Sequence, residues 1–216
     1  MKNVRIFYTK GSRMRFVSHL DMTRFMTRML RKAKLPIWYT EGFHPHAYIT
    51  FALPLSLGFE SDYEIMDIRL NDDDYPIQDI CDKLNAVFPE YVHAFCVAEP
   101  VQKVGKIGFA QFEITFQDNG LLLEALKEFL ARNEIKCLKK TKKGAMKEID
   151  IAPKIVESRV EGLENTTLYL TLPAGGEDNV NPELLLNAFF EQSGQNYYCY
   201  LVRRIGILNT EKEIFK

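Results

Sequence analysis

The 216-residue sequence predicts an α+β fold made of two tandem ferredoxin-like halves, each with the element order βαββαβ. Two observations predict it. Strand-like alternation and apolar positions at helical spacing follow one another in the same order in residues 1–98 and in residues 108–216. Residues 99–107, which contain Pro, Gly and Lys, are typical of a linker. No repeat is detectable residue by residue, so the duplication rests on element order.

The first half begins with a strand, a turn and a helix. Val4–Thr9 alternates as a strand, and Met14–Val17 is predicted to be a short extended piece. Ser18 is typical of a helix N-cap, and Asp21, three residues on, supplies an acid close to a capping box. A helix is therefore predicted over His19–Lys34.

Four extended segments and a second helix complete the first half. The predicted strands are Ile37–Thr40, Tyr48–Leu53, Tyr63–Leu70 and Tyr91–Ala98. The helix follows the acidic run of residues 72–74 and continues through about Phe88, because its apolar residues fall on one face.

The second half is predicted to repeat this order. Its predicted strands are Phe109–Phe116, Ile135–Leu138, Glu148–Ile151, Lys154–Arg159, Thr166–Leu172 and Tyr197–Leu208. Asn119 is the predicted N-cap of its first helix, and Asn181-Pro182 begins a second helix that ends near Glu191.

Composition indicates an ordinary globular protein, with 46% hydrophobic and 26% charged residues. No apolar run approaches the roughly 18 residues of a membrane span, and the first residues lack a secretory signal. A cytoplasmic protein without a membrane partner is therefore expected. The cysteines are expected to be buried, reduced thiols because they are scattered singly: Cys81, Cys96, Cys137 and Cys199.

Charge is strongly polarised along the chain, although the net charge is only −1. Residues 1–50 contain ten Lys or Arg and two acids, a net of +8. Residues 51–100 contain two basic residues and eleven acids, a net of −9. Such a basic block indicates an anionic partner.

The predicted first helix separates apolar from basic side chains. At about 100° per residue, its methionines occupy one side and three arginines the other: Arg24, Arg28 and Arg31. Arg13 and Arg15 directly precede the helix. Because guanidinium groups bind phosphate bidentately, a row of arginines favours a polyanion such as tRNA or rRNA. A solvated helix face is the alternative interpretation.

Histidines are candidates for substrate contact. His19 falls in the first helical turn, where it either packs against a backbone carbonyl or faces the substrate. The loop GFHPH places His44 and His46 around a proline, and with His19 or Asp21 they are candidate ligands for a divalent metal. Loop packing is the simpler alternative, so no metal or other cofactor is predicted. The candidates to stack on a base are Phe43, Tyr48, Trp38 and Tyr39, with aromatic core residues in strands as the alternative interpretation.

Together these patterns predict a substrate-binding surface and a secondary phosphate contact. The predicted surface comprises Arg13, Arg15, His19, Asp21, Arg24, Arg28, Arg31, Gly42, Phe43, His44 and His46. The secondary contact is a predicted hairpin tip with the basic residues Lys139, Lys140, Lys142 and Lys143. Ordinary surface lysines are the alternative there.

The block Arg15–Ser61, with KKTKKGAMKEIDIAPKI further on, resembles the radical SAM-linked family of bacterial proteins, a domain of unknown function. The residues that match the family pattern are Arg15, Phe16, Ser18, His19, Leu20, Asp21, Arg24, Arg31, Leu35, Pro36, Gly42, Phe43, Pro45, His46, Phe51, Pro54, Leu55, Gly58, Glu60 and Ser61. Members of that family occur free or as a C-terminal extension of a radical SAM enzyme, so the resemblance implies such an enzyme as partner.

The sequence departs from the family pattern in the histidine loop. His44 stands where the family has asparagine, and Ala47-Tyr48 where it has proline and a basic residue. This difference favours His19 and His46 as the functional pair over a metal site on His44. The chain also lacks the CxxxCxxC motif that binds a radical SAM cluster, so by itself it is not expected to cleave S-adenosylmethionine.

The leading functional prediction is a non-catalytic accessory protein that works with a radical SAM enzyme and binds tRNA or rRNA. One alternative is an endoribonuclease on a double ferredoxin-like scaffold, with His19 and His46 as general acid and base. Another is a protein-docking module that uses the apolar segment Phe51–Phe59.

Overall fold

The structure is a computed structural model that describes residues 1–140, 144, 146–162, 164–176, 178–196 and 198–216. The chain divides into two units, one of Met1–Val104 with Lys216 and one of Gly105–Phe215. The fold is mixed α+β, and the described residues contain four α-helices. None of the helices in this described part is long and apolar enough to cross a membrane.

In the first unit the elements follow the order βαββαβ. They are β1 (Lys2–Lys10), α1 (His19–Lys32), β2 (Ile49–Phe51), β3 (Glu60–Leu70), α2 (Ile80–Asn85) and β4 (Val92–Ala98). Strand β1 pairs with β3 and with β4, β2 pairs with β3, and all three pairings are antiparallel. Two 3-10 helices, Ser12–Phe16 and Ile77–Asp79, precede α1 and α2.

Helix α1 begins and packs as its sequence predicts. The Ser18 hydroxyl oxygen accepts a hydrogen bond from the Asp21 backbone N–H at 3.2 Å, and the hydroxyl donates to the Asp21 carboxylate at 2.8 Å. These bonds satisfy one of the backbone donors that a helix start leaves without a partner. The apolar side is buried through Met22, Met26, Met29 and Leu30. The predicted cap and helix start are confirmed.

The two faces of the first unit's sheet differ because side chains alternate along a strand. One face packs with α1 and α2 in the hydrophobic core through Val4, Ile6, Tyr8, Met66, Ile68 and Leu70. The intervening positions, among them Arg5, Asp67 and Arg69, therefore lie on the opposite face.

The second unit has the same order of sheet strands and helices, with a hairpin inserted after its first helix. Its elements are β5 (Ile107–Phe116), α3 (Leu123–Leu130), β6 (Lys136–Lys140), β7 (Met146–Asp150), β8 (Glu157–Gly162), β9 (Thr166–Pro173), α4 (Pro182–Ser193) and β10 (Tyr200–Asn209). Strand β5 pairs with β10 and β9, and β9 pairs with β8, all antiparallel. Strands β6 and β7 form a separate antiparallel pair.

Helix α4 confirms the start predicted at Asn181-Pro182. The Asn181 side-chain oxygen accepts from the Glu183 backbone N–H at 3.0 Å. Pro182 occupies the first helical position, where a missing N–H costs nothing.

Two predicted extended pieces are wrong. Residues 12–16 form a 3-10 helix, because the Met14 N–H turns back to the Gly11 carbonyl at 3.1 Å. Within Ile37–Thr40 the strand reduces to isolated bridges, in which Ile37 pairs with Leu70 and Tyr39 pairs with Ala47. The partner changes within three residues, so no continuous ladder forms.

The predicted N-cap at Asn119 is also wrong, because Asp118 supplies the acceptor for the first turn of this region. Its carboxylate accepts from the backbone N–H groups of Leu122 at 2.7 Å and Gly120 at 3.2 Å. It also accepts from the Thr166 N–H at 2.8 Å and the Thr166 hydroxyl at 2.6 Å. Asn119 itself has a φ of +52°, outside the extended region that an N-cap residue adopts.

The prediction of buried cysteines holds for one of four. Cys137 is buried and Cys81 half-buried, but Cys96 and Cys199 are exposed, and all four are free thiols. Cys96 follows a bulge in the β1–β4 pairing, where Phe95 is the extra residue. A bulge interrupts the alternation of faces, so both Phe95 and Cys96 reach the surface.

Candidate functional site

The exposed side of α1 has a row of arginines, here called the arginine ridge: Arg24, Arg28 and Arg31. Their spacing places them on one helix face over about 10 Å of axis. The Arg24 guanidinium is 3.2 Å from the Asp21 carboxylate, and both side chains are more than half exposed. Within the part of the chain that the structure describes, the guanidinium groups of Arg28 and Arg31 have no hydrogen bond or ion pair. The ridge is therefore open to a ligand.

Further basic residues flank the ridge. Arg13 is exposed ahead of α1, and Lys32 and Lys34 are exposed at its end. Arg15 is half-buried, with its guanidinium 3.5 Å from the Glu60 carboxylate. Among the described residues, Arg28 and Arg31 make no ion pair with the acids of residues 51–100. Those acids pair with other cations, among them Lys2, Arg5, Arg15 and the N-terminal amine.

Two members of the basic block are not at the surface. Arg5 is 1% exposed, and its guanidinium makes two 2.7 Å hydrogen bonds to the Asp67 carboxylate. It also donates to the Lys216 carbonyl at 2.8 Å. Lys10 is 4% exposed and donates to the Val17 carbonyl at 3.2 Å. The charge available to a partner is therefore smaller than the sequence count.

His19 is exposed in the first turn of α1, and part of its ring is packed. The ring centroid lies 5.2 Å from that of Phe51, edge to face. His19 also lines a cavity of about 10 Å³, together with the nearly fully buried Lys10 and Glu64. A cavity of this size accommodates about one water molecule. The cavity is therefore too small to admit a substrate. The exposed edge of the His19 ring is accessible to one.

Asp21 has a structural role in the same turn. One carboxylate oxygen accepts from Ser18 and the other lies beside Arg24, so both are engaged. Its predicted contact with substrate would have to compete with these bonds.

Hydrogen-bond contacts between Thr40 and His46 join the two ends of the histidine loop. The Thr40 N–H donates to the His46 carbonyl at 2.9 Å, and His46 Nδ1 is 3.0 Å from the Thr40 hydroxyl oxygen. His44 and Gly42 are exposed, and Phe43 is fully exposed.

His46 does not line the small cavity to which His19 contributes. No residue of the loop lines the small cavity at His19. Phe51, whose ring His19 contacts, ends strand β2, and the histidine loop precedes that strand in the chain. Among the residues that the structure describes, no three His, Cys, Asp or Glu side chains are grouped to hold a metal ion.

The lysine-rich hairpin has the predicted antiparallel strands, with Lys139 paired to Lys147. The Lys139 ammonium donates to the Asn179 carbonyl at 3.1 Å and is therefore partly engaged. Lys142 and Lys143 lie outside the described residues, as does the side chain of Lys140.

The apolar segment Phe51–Phe59 is mostly packed. Phe59 is 3% exposed and Ala52 is 7% exposed, whereas Leu57 is more than half exposed. The docking alternative therefore has Leu57 as its exposed apolar residue within the segment. The exposed Phe16 lies nearby, because the Gly58 N–H donates to the carbonyl of the preceding residue, Arg15, at 2.8 Å.

Sequence reasoning missed a cleft on the sheet face opposite α1. It has a volume of about 440 Å³, and its charged lining residues are Arg5, Asp67, Arg69 and Lys103. The available signal was Arg69, one of two basic residues among residues 51–100. Its position beside Asn3 on β1 depends on strand register, which the sequence does not display.

Comparison with known families gives one match. A family model described as "Uncharacterized protein conserved in bacteria (DUF2344)" matches residues 3–182. The matched span contains the arginine ridge, the histidine loop and the lysine-rich hairpin. No curated protein matches the chain.

Proposed function

Since the chain belongs to this family of uncharacterised proteins conserved in bacteria, we propose that it is a non-catalytic accessory protein that binds tRNA or rRNA through the arginine ridge. The observation that carries the proposal is the exposure of Arg28 and Arg31 without partners among the described residues. Such guanidinium groups retain their donors for phosphate oxygens. The proposal places the protein in the cytoplasm with its RNA.

The shape of the site favours a polyanion over a metabolite. Small-molecule sites are concave and bury most of their ligand, whereas the ridge lies on the convex outer side of a helix. A ligand must therefore bring several negative charges spaced along its own length, as a nucleic acid backbone does. Arg13, Lys32 and Lys34 extend the same basic surface at the two ends of α1.

The geometry supports binding more than catalysis. The cavity at His19 has room for about one water molecule, and His46 is held in a separate loop by Thr40. A general acid and base must both be within hydrogen-bond reach of one reacting group. No contact in the described residues favours the endoribonuclease alternative.

We expect Arg28→Gln with Arg31→Gln to weaken the binding of labelled total tRNA by about tenfold in a filter-binding assay, because two phosphate contacts of about 0.7 kcal/mol each are lost. The matched control is Lys127→Gln with Lys136→Gln, which removes the same charge from two exposed residues that are already ion-paired in the second unit. Equal binding by the two double variants would remove the RNA proposal. If the wild type cleaves RNA and His19→Ala does not, the endoribonuclease alternative would replace the RNA-binding proposal.

A radical SAM enzyme is proposed as the partner, on the resemblance of the block Arg15–Ser61 alone. The four cysteines are too widely spaced to form CxxxCxxC, so the cluster would belong to the partner. We expect the protein, tagged and expressed at its native level, to co-purify with such an enzyme. Purification of the protein without one would count against this partner.

Each unit is further proposed to be a ferredoxin-like half. The support is the element order together with the sheet order, in which the first strand lies between the fourth and third and the second pairs with the third. The hairpin β6–β7 would then be an insertion in the second half. A crystal structure in which β1 and β3 were not neighbours would contradict this assignment.

A further inference from the structure

The cleft on the sheet face of the first unit has the size of a small-molecule site. Its volume of about 440 Å³ is within the usual range of about 300–1,000 Å³ for such sites. It is lined by residues of β1 and β3, by Tyr48 and Thr50, and by the segment 100–104. Helix α1 packs on the other face of this sheet, so the cleft and the arginine ridge are distinct surfaces.

The cleft has an excess of positive charge. Arg5 and Asp67 balance each other through their two 2.7 Å hydrogen bonds. Arg69 and Lys103 are the remaining charged residues of the lining. The Arg69 Nε–H donates to the Asn3 side-chain oxygen at 3.0 Å. Among the described residues, neither the terminal nitrogens of Arg69 nor the Lys103 ammonium has a hydrogen-bond partner, so both can bind an anion.

Aromatic rings hold the Arg69 guanidinium in place. Its central carbon lies 4.4 Å from the Tyr48 ring centroid and 5.0 Å from that of Trp38. The two rings are themselves 5.7 Å apart. Unstacked nucleobases bind proteins by stacking on such rings and on guanidinium planes. The cleft thus combines a stacking surface with two phosphate-binding groups.

The second unit has a cleft of similar size without the excess of positive charge. It has a volume of about 420 Å³, and the Arg159 guanidinium lies 4.4 Å from the Tyr169 ring centroid. Here, however, Arg159 is 2.5 Å from the Glu161 carboxylate, and Glu157 also lines the cleft. In this cleft the arginine beside the tyrosine ring is therefore neutralised by a carboxylate. This makes Arg159 a matched control for Arg69.

We propose that the cleft of the first unit binds a nucleoside monophosphate unit. The phosphate contacts Arg69 and Lys103, and the base stacks on the Arg69–Tyr48 pair. The unit is either a free nucleotide or one unstacked nucleotide of a single-stranded RNA. Because this surface excludes the arginine ridge, the proposal does not depend on RNA binding by the ridge.

The test uses the only tryptophan of the chain, Trp38, which contacts Arg69 and Tyr48. Tryptophan fluorescence of the intact protein is followed during titration with AMP and, separately, with a short oligoadenylate, each corrected for absorption with free tryptophan. We expect a saturable change for the wild type. Arg69→Gln should weaken binding by about tenfold or more, since charge-assisted hydrogen bonds to the phosphate are lost. Arg159→Gln should bind as the wild type does.

A second variant guards against a folding defect in Arg69→Gln. Lys103 is exposed, and Lys103→Gln should weaken AMP binding while the thermal midpoint stays that of the wild type. Saturation by AMP supports the proposal and identifies a free nucleotide as a ligand; saturation by oligoadenylate alone supports it with RNA as the source. The proposal is overturned by a linear response of the wild type to both ligands, by equal losses in Arg69→Gln and Arg159→Gln, or by inorganic phosphate competing as strongly as AMP.

Discussion

We expect Asp67→Ala to lower the free energy of unfolding by about 3–5 kcal/mol, because it leaves the Arg5 guanidinium charged and buried without its carboxylate. Arg5 is 1% exposed and donates two 2.7 Å hydrogen bonds to Asp67. Its 2.8 Å bond to the Lys216 backbone oxygen remains in the variant. Urea denaturation of the wild type and the variant measures the loss.

Two controls define the cause of this loss. Asp62→Ala removes an exposed acid from the same strand and should change stability by no more than about 0.5 kcal/mol. Arg5→Met with Asp67→Leu replaces the whole pair by apolar side chains and should recover most of the stability. A double variant as unstable as Asp67→Ala would show that the buried charge is not the cause.

The second large effect is expected at Asp118, which is 1% exposed and accepts four hydrogen bonds. Burial by itself would raise the pKa of this carboxyl, but the hydrogen bonds from Thr166, Leu122 and Gly120 lower the pKa overall. A carboxyl whose folded-state pKa lies below its unfolded value stabilises the fold above the unfolded pKa. That contribution is lost as the pH falls through the folded pKa.

Asp118→Asn should therefore cost about 3 kcal/mol at neutral pH, since charge-assisted acceptors are replaced by an amide that donates on one side. The difference in unfolding free energy between wild type and variant should shrink as the pH falls below about 4. Glu124→Gln, at an exposed acid in α3, is the matched control and should change little. A difference that stays constant down to pH 2 would refute the role assigned to the ionised carboxylate.

Local signals in the sequence predict the starts of helices α1 and α4 correctly. Ser18 before α1 and Asn181-Pro182 before α4 carry their capping information within three residues. The separation of methionines from arginines on α1 likewise follows from helical periodicity alone. These features depend on residues that are close in the chain, and so the sequence predicts them.

Features that depend on distant residues could not be predicted. Asp118 is the acceptor in its turn because Thr166, 48 positions away, contributes two of its donors. Arg5 is one of the ten basic residues in residues 1–50, but it is buried beside Asp67 on the paired strand. Strand register decides both cases, and no local pattern specifies which residues become opposite one another.

The candidate site also has features that local sequence predicts and features that depend on distant residues. The arginine ridge follows from one helix, whereas the cleft at Arg69 joins β1, β3, Tyr48 and the segment 100–104. The pairing of His19 with His46 rests on their match to the family pattern; in the structure the His19 ring contacts Phe51 and His46 contacts Thr40.

The salt dependence of RNA binding tests the central claim most directly. The affinity for labelled total tRNA is measured over a range of KCl concentrations for the wild type and for Arg28→Gln with Arg31→Gln. Each phosphate contact contributes about 0.7–0.9 to the slope of log affinity against log salt, so the variant's slope should be shallower by about 1.5. Parallel lines for the two proteins would contradict the proposal that these two arginines bind RNA phosphates.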